Sequence, residues 1–270
     1  RIEDHDRTRC RPEYERALLE DLEWLGLHPD EGSLASYAAR HAGDTHPHPL
    51  RQSDNDDRYA TALGALDERG LVYPCICTRR DIAAGEPRTP GEELRYPGTC
   101  RPRVFANAHT NAHYGTLARR VKLSDENETF DDLRRGVQLQ QPSQQCGDVL
   151  ARDRHGGWTY QFAVSVDDMQ QGIDVVIRGE DLLASTGRQL QLSRLLGRAS
   201  PPSYLHHPLL MRDDGIKLSK ANHDTSLRLR RAGGASAAEL LGEAAYRAAL
   251  IPRTRALHVT ELAGLFSPLA

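Results

Sequence analysis

Leu18, Leu19, Leu22 and Leu25 recur at helical spacing, so residues 11–25 are predicted to form a helix with Pro12 in its first turn. Gly26 marks its end and Pro29 lies beyond. Residues 33–50 are polar, rich in His, Gly and Pro, and show no period. They read as an inserted loop longer than a compact domain needs. A second helix is predicted over residues 56–69, closed by Gly70, and Leu71-Val72-Tyr73 opens a short strand. The β-branched runs 164–166 and 175–177 are flanked by turn residues and read as buried strands. Residues 232–250 are Ala-rich and read as one helix. Strands alternating with helices predict an α/β fold built on a parallel, doubly wound sheet.

Length changes little in that picture: 270 residues make one large or two small domains. No apolar run is long enough to span a bilayer and no basic-then-apolar leader is present, so a cytoplasmic enzyme is expected and a membrane partner is not. The formal net charge is −3. Contact with a polynucleotide must therefore come from local patches, such as Arg101-Pro102-Arg103, Arg119-Arg120 with Lys122, or Arg228, Arg230 and Arg231.

Cysteine spacing carries more. An odd count of five argues against a disulfide framework. Cys75-Ile76-Cys77 followed by Tyr96-Pro97-Gly98-Thr99-Cys100 has the look of a metal knuckle, since zinc takes four ligands in a tetrahedron. The spacing alone leaves zinc and three reduced, packed cysteines equally open. Tyr96, His109 and His113 are the candidates for a fourth donor. Cys10 and Cys146 have no partner at ligand spacing and read as ordinary thiols.

The strongest functional signal lies in Gly215-Ile216-Lys217-Leu218-Ser219-Lys220. Two ammonium groups and a hydroxyl on a short loop suit the charge that builds on a departing pyrophosphate. Upstream, in order, stand Arg1-Ile2-Glu3-Asp4, the run from Tyr160 to Asp168, Val176-Ile177-Arg178-Gly179-Glu180-Asp181-Leu182, and Arg188-Gln189-Leu190. Together these motifs resemble the catalytic core of class I glutamyl-tRNA synthetases over residues 1–225. About 45 residues follow the lysine loop, too few for a second helical domain of ordinary size. The resemblance is therefore greatest to the short branch without an anticodon-binding domain, the glutamyl-queuosine tRNA(Asp) synthetases.

The resemblance implies a Rossmann-type catalytic core in residues 1–72 and 135–225. It implies a zinc-binding, acceptor-type insertion at 73–134 and a short helical C-terminal segment at 226–270. It implies a structural zinc on Cys75, Cys77, Tyr96 and Cys100, and L-glutamate held by Glu3, Tyr160 and Arg178. A guanidinium offers a carboxylate the bidentate fork that lysine lacks. An ion pair of Arg178 with Glu180 or Asp181, a half-buried Tyr160 and a surface role for Glu3 are the plain structural alternatives. Lys220, assisted by Lys217, is implied to touch ATP, which arrives with magnesium. The partners so implied are L-glutamate, ATP and the anticodon stem-loop of tRNA(Asp), with a single chain as the working unit. The family also carries a His-x-Gly-His-like ATP signature upstream of R-I-E-D. Nothing here matches it, so the core is expected to be incomplete at its N-terminus. A piece of a glutamyl-tRNA synthetase charging tRNA(Glu), or a noncatalytic remnant binding tRNA or glutamate, are the alternative expectations.

Overall fold

The computed structural model describes residues 1–30, 32–39, 46–85, 93–102, 117–211 and 226–266. In chain order come α1 (Pro12–Leu25), α2 (Leu34–Ala38), α3 (Asp56–Glu68), β1 (Val72–Cys75) and α4 (Arg79–Gly85). Then follow β2 (Ala118–Val121), β3 (Glu128–Asp132), β4 (Gly136–Gln140), α5 (Pro142–Gln145) and β5 (Val149–Arg152). The remainder are α6 (Tyr160–Gln170), β6 (Val175–Gly179), α7 (Thr186–Leu195), β7 (Ser203–His207), α8 (Leu227–Ala232) and α9 (Ala237–Arg247). The chain forms two compact units, Arg1–Arg9 with Pro49–His206, and Cys10–His48 with His207–Ala270. No helix among the described residues is long and apolar enough to cross a membrane.

In the first unit β1, β2 and β5 form an antiparallel sheet in that order. Period-two alternation gives the sheet two apolar faces. One face sends Val72, Val121, Val149 and Ala151 into the main core with Tyr59, Leu63 and Leu66 of α3 and Phe162, Ala163 and Val166 of α6. The other sends Tyr73, Cys75 and Ala118 against Ile82, Tyr96 and Cys100. Pro74 is tolerated because β1 is an edge strand.

The second sheet has the order β4-β3-β7-β6 and is mixed. This corrects the purely parallel sheet predicted from alternation. Asp132 and Gly136 pair across β3 and β4 with three residues between them, a link that can only reverse the chain, whereas β3 and β7 run parallel at Asp132 and Tyr204. The strand predicted at 175–177 is present as β6, but it is not buried. It ends the sheet, with Val175 47% and Ile177 63% exposed, while Val176 packs inward with Phe130, Leu190 and Tyr204.

The strand predicted at 164–166 is instead part of α6. Every residue from Phe162 to Asp168 is buried, so no polar stripe reveals the helical period. Asp167, wholly enclosed, accepts from Gln52 Nε2 at 2.9 Å and Tyr59 Oη at 2.8 Å, with Arg58 at 3.3 Å.

In the second unit α1 and its glycine stop agree with the leucine pattern: Gly26 is left-handed and its N–H returns to Glu23 and Leu22 carbonyls. The segment predicted as featureless loop contains α2, whose Ser33 and Ser36 cap it reciprocally and whose Tyr37 is buried. The helix predicted over 232–250 is present as α9, over Ala237–Arg247, and Ala232 instead closes α8. Gly234, at φ 93°, turns the chain in a conformation closed to other residues, and Ser236 with Glu239 recaps α9. Leu241, Ala245, Ile251 and Leu257 form this unit's core.

Candidate functional site

Arg178 stands near the carboxyl end of β6 and is only 8% exposed. Its Nε donates to His206 Nε2 at 3.0 Å, Nη1 to Gln189 Oε1 at 2.6 Å and Nη2 to Thr186 Oγ1 at 2.8 Å. Its Cζ lies 5.2 Å from the Tyr204 ring centroid. Thr186 and Gln189 come from the first turn of α7, and His206 from β7. The expected structural alternative, an ion pair with Glu180 or Asp181, is absent among the described residues, and Glu180 pairs with Arg135 instead. A buried guanidinium whose direct partners are neutral retains its full attraction for an incoming anion.

Tyr160 opens α6 at its N-terminal end. Burial, then the fields of Glu3 and Asp168, push its phenol above the ordinary value, and Arg178 pulls the other way. Glu3 acts on that phenol through its charge. It is held by Arg1, whose Nη2 is 2.8 Å from Glu3 Oε1 and whose Nη1 reaches Asp168 Oδ1 at 2.7 Å and Gln171 at 3.0 Å. Burial raises the Asp168 carboxyl above its usual range against the pull of Arg1. Asp4 turns the other way, accepting from Ser53 N at 2.8 Å, Ser53 Oγ at 2.7 Å and Arg51 Nη1 at 3.1 Å. That anchors the R-I-E-D stretch beside the parallel bridge between Ile2 and Arg51.

The second cluster is the cysteine knuckle. The sulfurs of Cys75, Cys77 and Cys100 lie within 4.8 Å of one another, Cys77 and Cys100 at 3.6 Å. Cys75 Sγ is 3.5 Å from Tyr96 Oη, which also accepts from Cys100 N at 2.8 Å. Zinc–sulfur bonds of about 2.3 Å in a tetrahedron put sulfurs about 3.8 Å apart, so this donor set fits the ion. Burial pushes the Cys77 thiol and the Tyr96 phenol upward, whereas the backbone N–H of Ile76 and bonds from Tyr96 and Cys77 outweigh burial and lower Cys100.

Arg120 adds a positive charge there. Its Nε is 3.4 Å from Cys75 Sγ and its Cζ sits 3.7 Å over the Tyr96 ring. The knuckle is seated on the backbone ahead of β5. Tyr96 N donates to Cys146 O at 2.9 Å, and a Cβ on Gly147 would fall 2.0 Å from Tyr96 O. Asp148 completes the seat, accepting from Tyr73 Oη at 2.6 Å, Leu123 N at 2.9 Å and Arg101 at 3.3 Å.

The expected basic patches are less free than their sequence suggests. Arg120 is buried in the knuckle, Arg119 pairs with Asp67, and Lys122 donates to Gly70 O at 2.8 Å. Arg228 and Arg230 pair with Glu20 and Glu243, and Arg231 stacks on Trp24. Lys217, Lys220, Arg103, His109 and His113 lie outside the described residues. Cys10 is exposed and Cys146 buried, and neither is in a disulfide. The motif reading missed His206, Asp132 and Thr186 around Arg178, and Arg120 and Asp148 around the knuckle. Only Gln189 fell within a quoted motif.

Residues 1–239 match the family described as tRNA synthetases class I (E and Q), catalytic domain. A glutamyl-Q tRNA(Asp) synthetase of Nitratidesulfovibrio vulgaris is 40% identical over 256 residues, covering 93% of this chain and 76% of the relative. Proteins of the same name from Cupriavidus metallidurans and Symbiobacterium thermophilum are 41% and 37% identical, and the chain covers 65% and 80% of their lengths. A solved glutamate tRNA ligase from Elizabethkingia meningosepticum, in complex with its amino acid, superposes with a TM-score of 0.59 at 26% identity. That match covers 83% of this chain and 45% of the ligase. The chain belongs to the catalytic-domain family of the class I tRNA synthetases for glutamate and glutamine, a family of ligases, and is similar within it to the glutamyl-Q tRNA(Asp) synthetases.

Proposed function

We propose that this chain activates L-glutamate with ATP and passes it to the queuosine of tRNA(Asp). The observation that carries the reading is the buried Arg178, ringed by the neutral acceptors His206, Gln189 and Thr186. Arg178 and Tyr160 hold the side-chain carboxylate, and Glu3 attracts the substrate ammonium. In the first step an oxygen of the α-carboxylate attacks the α-phosphorus of ATP in line, the bond to the departing pyrophosphate breaks, and glutamyl-adenylate forms. In the second a hydroxyl of the nucleoside attacks the activated carbonyl, loses its proton, and AMP leaves. No covalent enzyme intermediate is needed, so positioning and charge provide the rate. Lys217 and Lys220 are assigned to the phosphates, with magnesium arriving on ATP. Cys75, Cys77, Tyr96 and Cys100 would hold zinc, which when bound supplies a structural cross-link within the insertion.

The test is glutamate-dependent exchange of pyrophosphate into ATP without tRNA, followed by glutamate transfer to tRNA(Asp) carrying or lacking queuosine. The reading requires exchange, and transfer only to the queuosine-containing tRNA. Charging of tRNA(Glu) would convert the assignment to an ordinary glutamyl-tRNA synthetase. No exchange and no transfer would leave a binding remnant.

A further inference from the structure

His206 and Asp132 are fully buried side chains that the proposed chemistry does not use. His206 Nδ1 is 2.6 Å from Asp132 Oδ2, and His206 Nε2 faces Arg178 Nε at 3.0 Å. Arginine can only donate, so Nε2 must carry a lone pair and the single proton of a neutral imidazole sits on Nδ1, pointing at Asp132. Asp132 is itself immobilised. Its Oδ1 accepts from Arg134 N at 3.1 Å and Arg135 N at 2.9 Å, and Oδ2 also accepts from His206 N at 3.1 Å.

We infer that the Asp132–His206 pair is a positioning device that orients the Arg178 guanidinium and thereby selects a ligand carboxylate over a carboxamide. The inference rests on Arg178 being the carboxylate clamp. A carboxylate bonded directly to Arg178 would occupy the fork and compete with the substrate. Here the negative charge stands one imidazole away, and every direct partner of Arg178 is neutral. A ligand carboxylate is thus the first anion to reach it. A carboxamide brings one acceptor, and an NH2 that meets only donors.

Asp132→Asn is the informative substitution, since the isosteric amide still accepts from Arg134 N and Arg135 N but turns an NH2 toward Nδ1 and the His206 backbone N–H. The imidazole proton then moves to Nε2, donor against donor with Arg178. Calorimetric titration of wild type, Asp132→Asn and Arg178→Lys with L-glutamate and L-glutamine, with thermal melts as fold controls, separates the possibilities. The expected result is glutamate binding weakened about tenfold or more in Asp132→Asn, the scale of one opposed buried donor, with the preference over glutamine reduced. If Arg178→Lys loses affinity while Asp132→Asn binds as wild type, the positioning role is overturned and the clamp stands. If Arg178→Lys binds as wild type, or wild type binds no glutamate, the clamp reading falls and the inference with it. Imidazole 15N shifts, assigned with a His206→Gln variant, provide a readout independent of ligand and of the stability of Asp132→Asn. A wild-type proton on Nδ1 supports the relay, and one on Nε2 overturns it.

Discussion

A guanidinium and an ammonium carry the same charge, yet only the first can grip a carboxylate with two parallel bonds while three other acceptors hold it still. Arg178→Lys is therefore expected to raise the glutamate KM about tenfold or more with a smaller change in kcat, read from steady-state exchange kinetics. His206 supplies a pH dependence of stability. Burial lowers its pKa, as does the nearby Arg178 charge with a smaller push from Arg135, and the bond to Asp132 opposes them. A depressed folded value means the unfolded chain takes up the proton first. The contribution is therefore present above the unfolded value near 6.5 and is lost as pH falls from there through the folded value. Urea midpoints should drop over that window in wild type and drop less in His206→Gln. Glu3, Tyr160 and Arg178 could be proposed from the sequence because each lies inside an ordered motif. Asp132 and His206 were not, because 74 residues separate them and only the parallel pairing of β3 and β7 brings them together.

At the scale of elements, what the sequence disclosed depended on whether an element keeps one wet face. Both α1 and α3 do, and their spans and glycine stops were readable. Helix α6 has none between Phe162 and Asp168, so its β-branched residues imitated a strand. In β6 the sequence looked buried on both faces and only the order of strands shows that it is an edge. The break between α8 and α9 rests on Gly234 and the reciprocal cap of Ser236 with Glu239. Ser236→Ala should lower stability by about 1 kcal/mol, seen as a fall in urea midpoint at unchanged slope. Gly147→Ala should do more harm than an ordinary glycine replacement. Position 147 has φ 68° and the added Cβ would strike the Tyr96 carbonyl. The expected outcome is a lower melting temperature together with weaker metal retention, because the same contact seats the knuckle.

At the scale of the whole molecule, the buried Arg178 and the thiol knuckle belong to the same unit. The family and the motif order could be read directly, as could the cysteine–tyrosine grouping. The knuckle's attachment could not, since it uses Arg120 and Asp148, whose neighbours in sequence carry no ligand chemistry. Elemental analysis should find about one zinc per chain in wild type and a clear loss in Cys77→Ser. A Cys77→Ser protein retaining a full equivalent would remove the knuckle from the account. Lys220→Ala is expected to slow adenylate formation about a hundredfold, measured by pyrophosphate exchange. The seat of Tyr96 on Cys146 and Gly147 also has a consequence in time. During synthesis Cys100 leaves the ribosome 47 residues ahead of Gly147, an interval of about 2 to 10 s at ordinary translation rates. For those seconds three thiols and a phenol exist without the sheet that will enclose them, open to oxidants and to stray ions. The order of events at birth is therefore written into the fold: ligands first, shelter second.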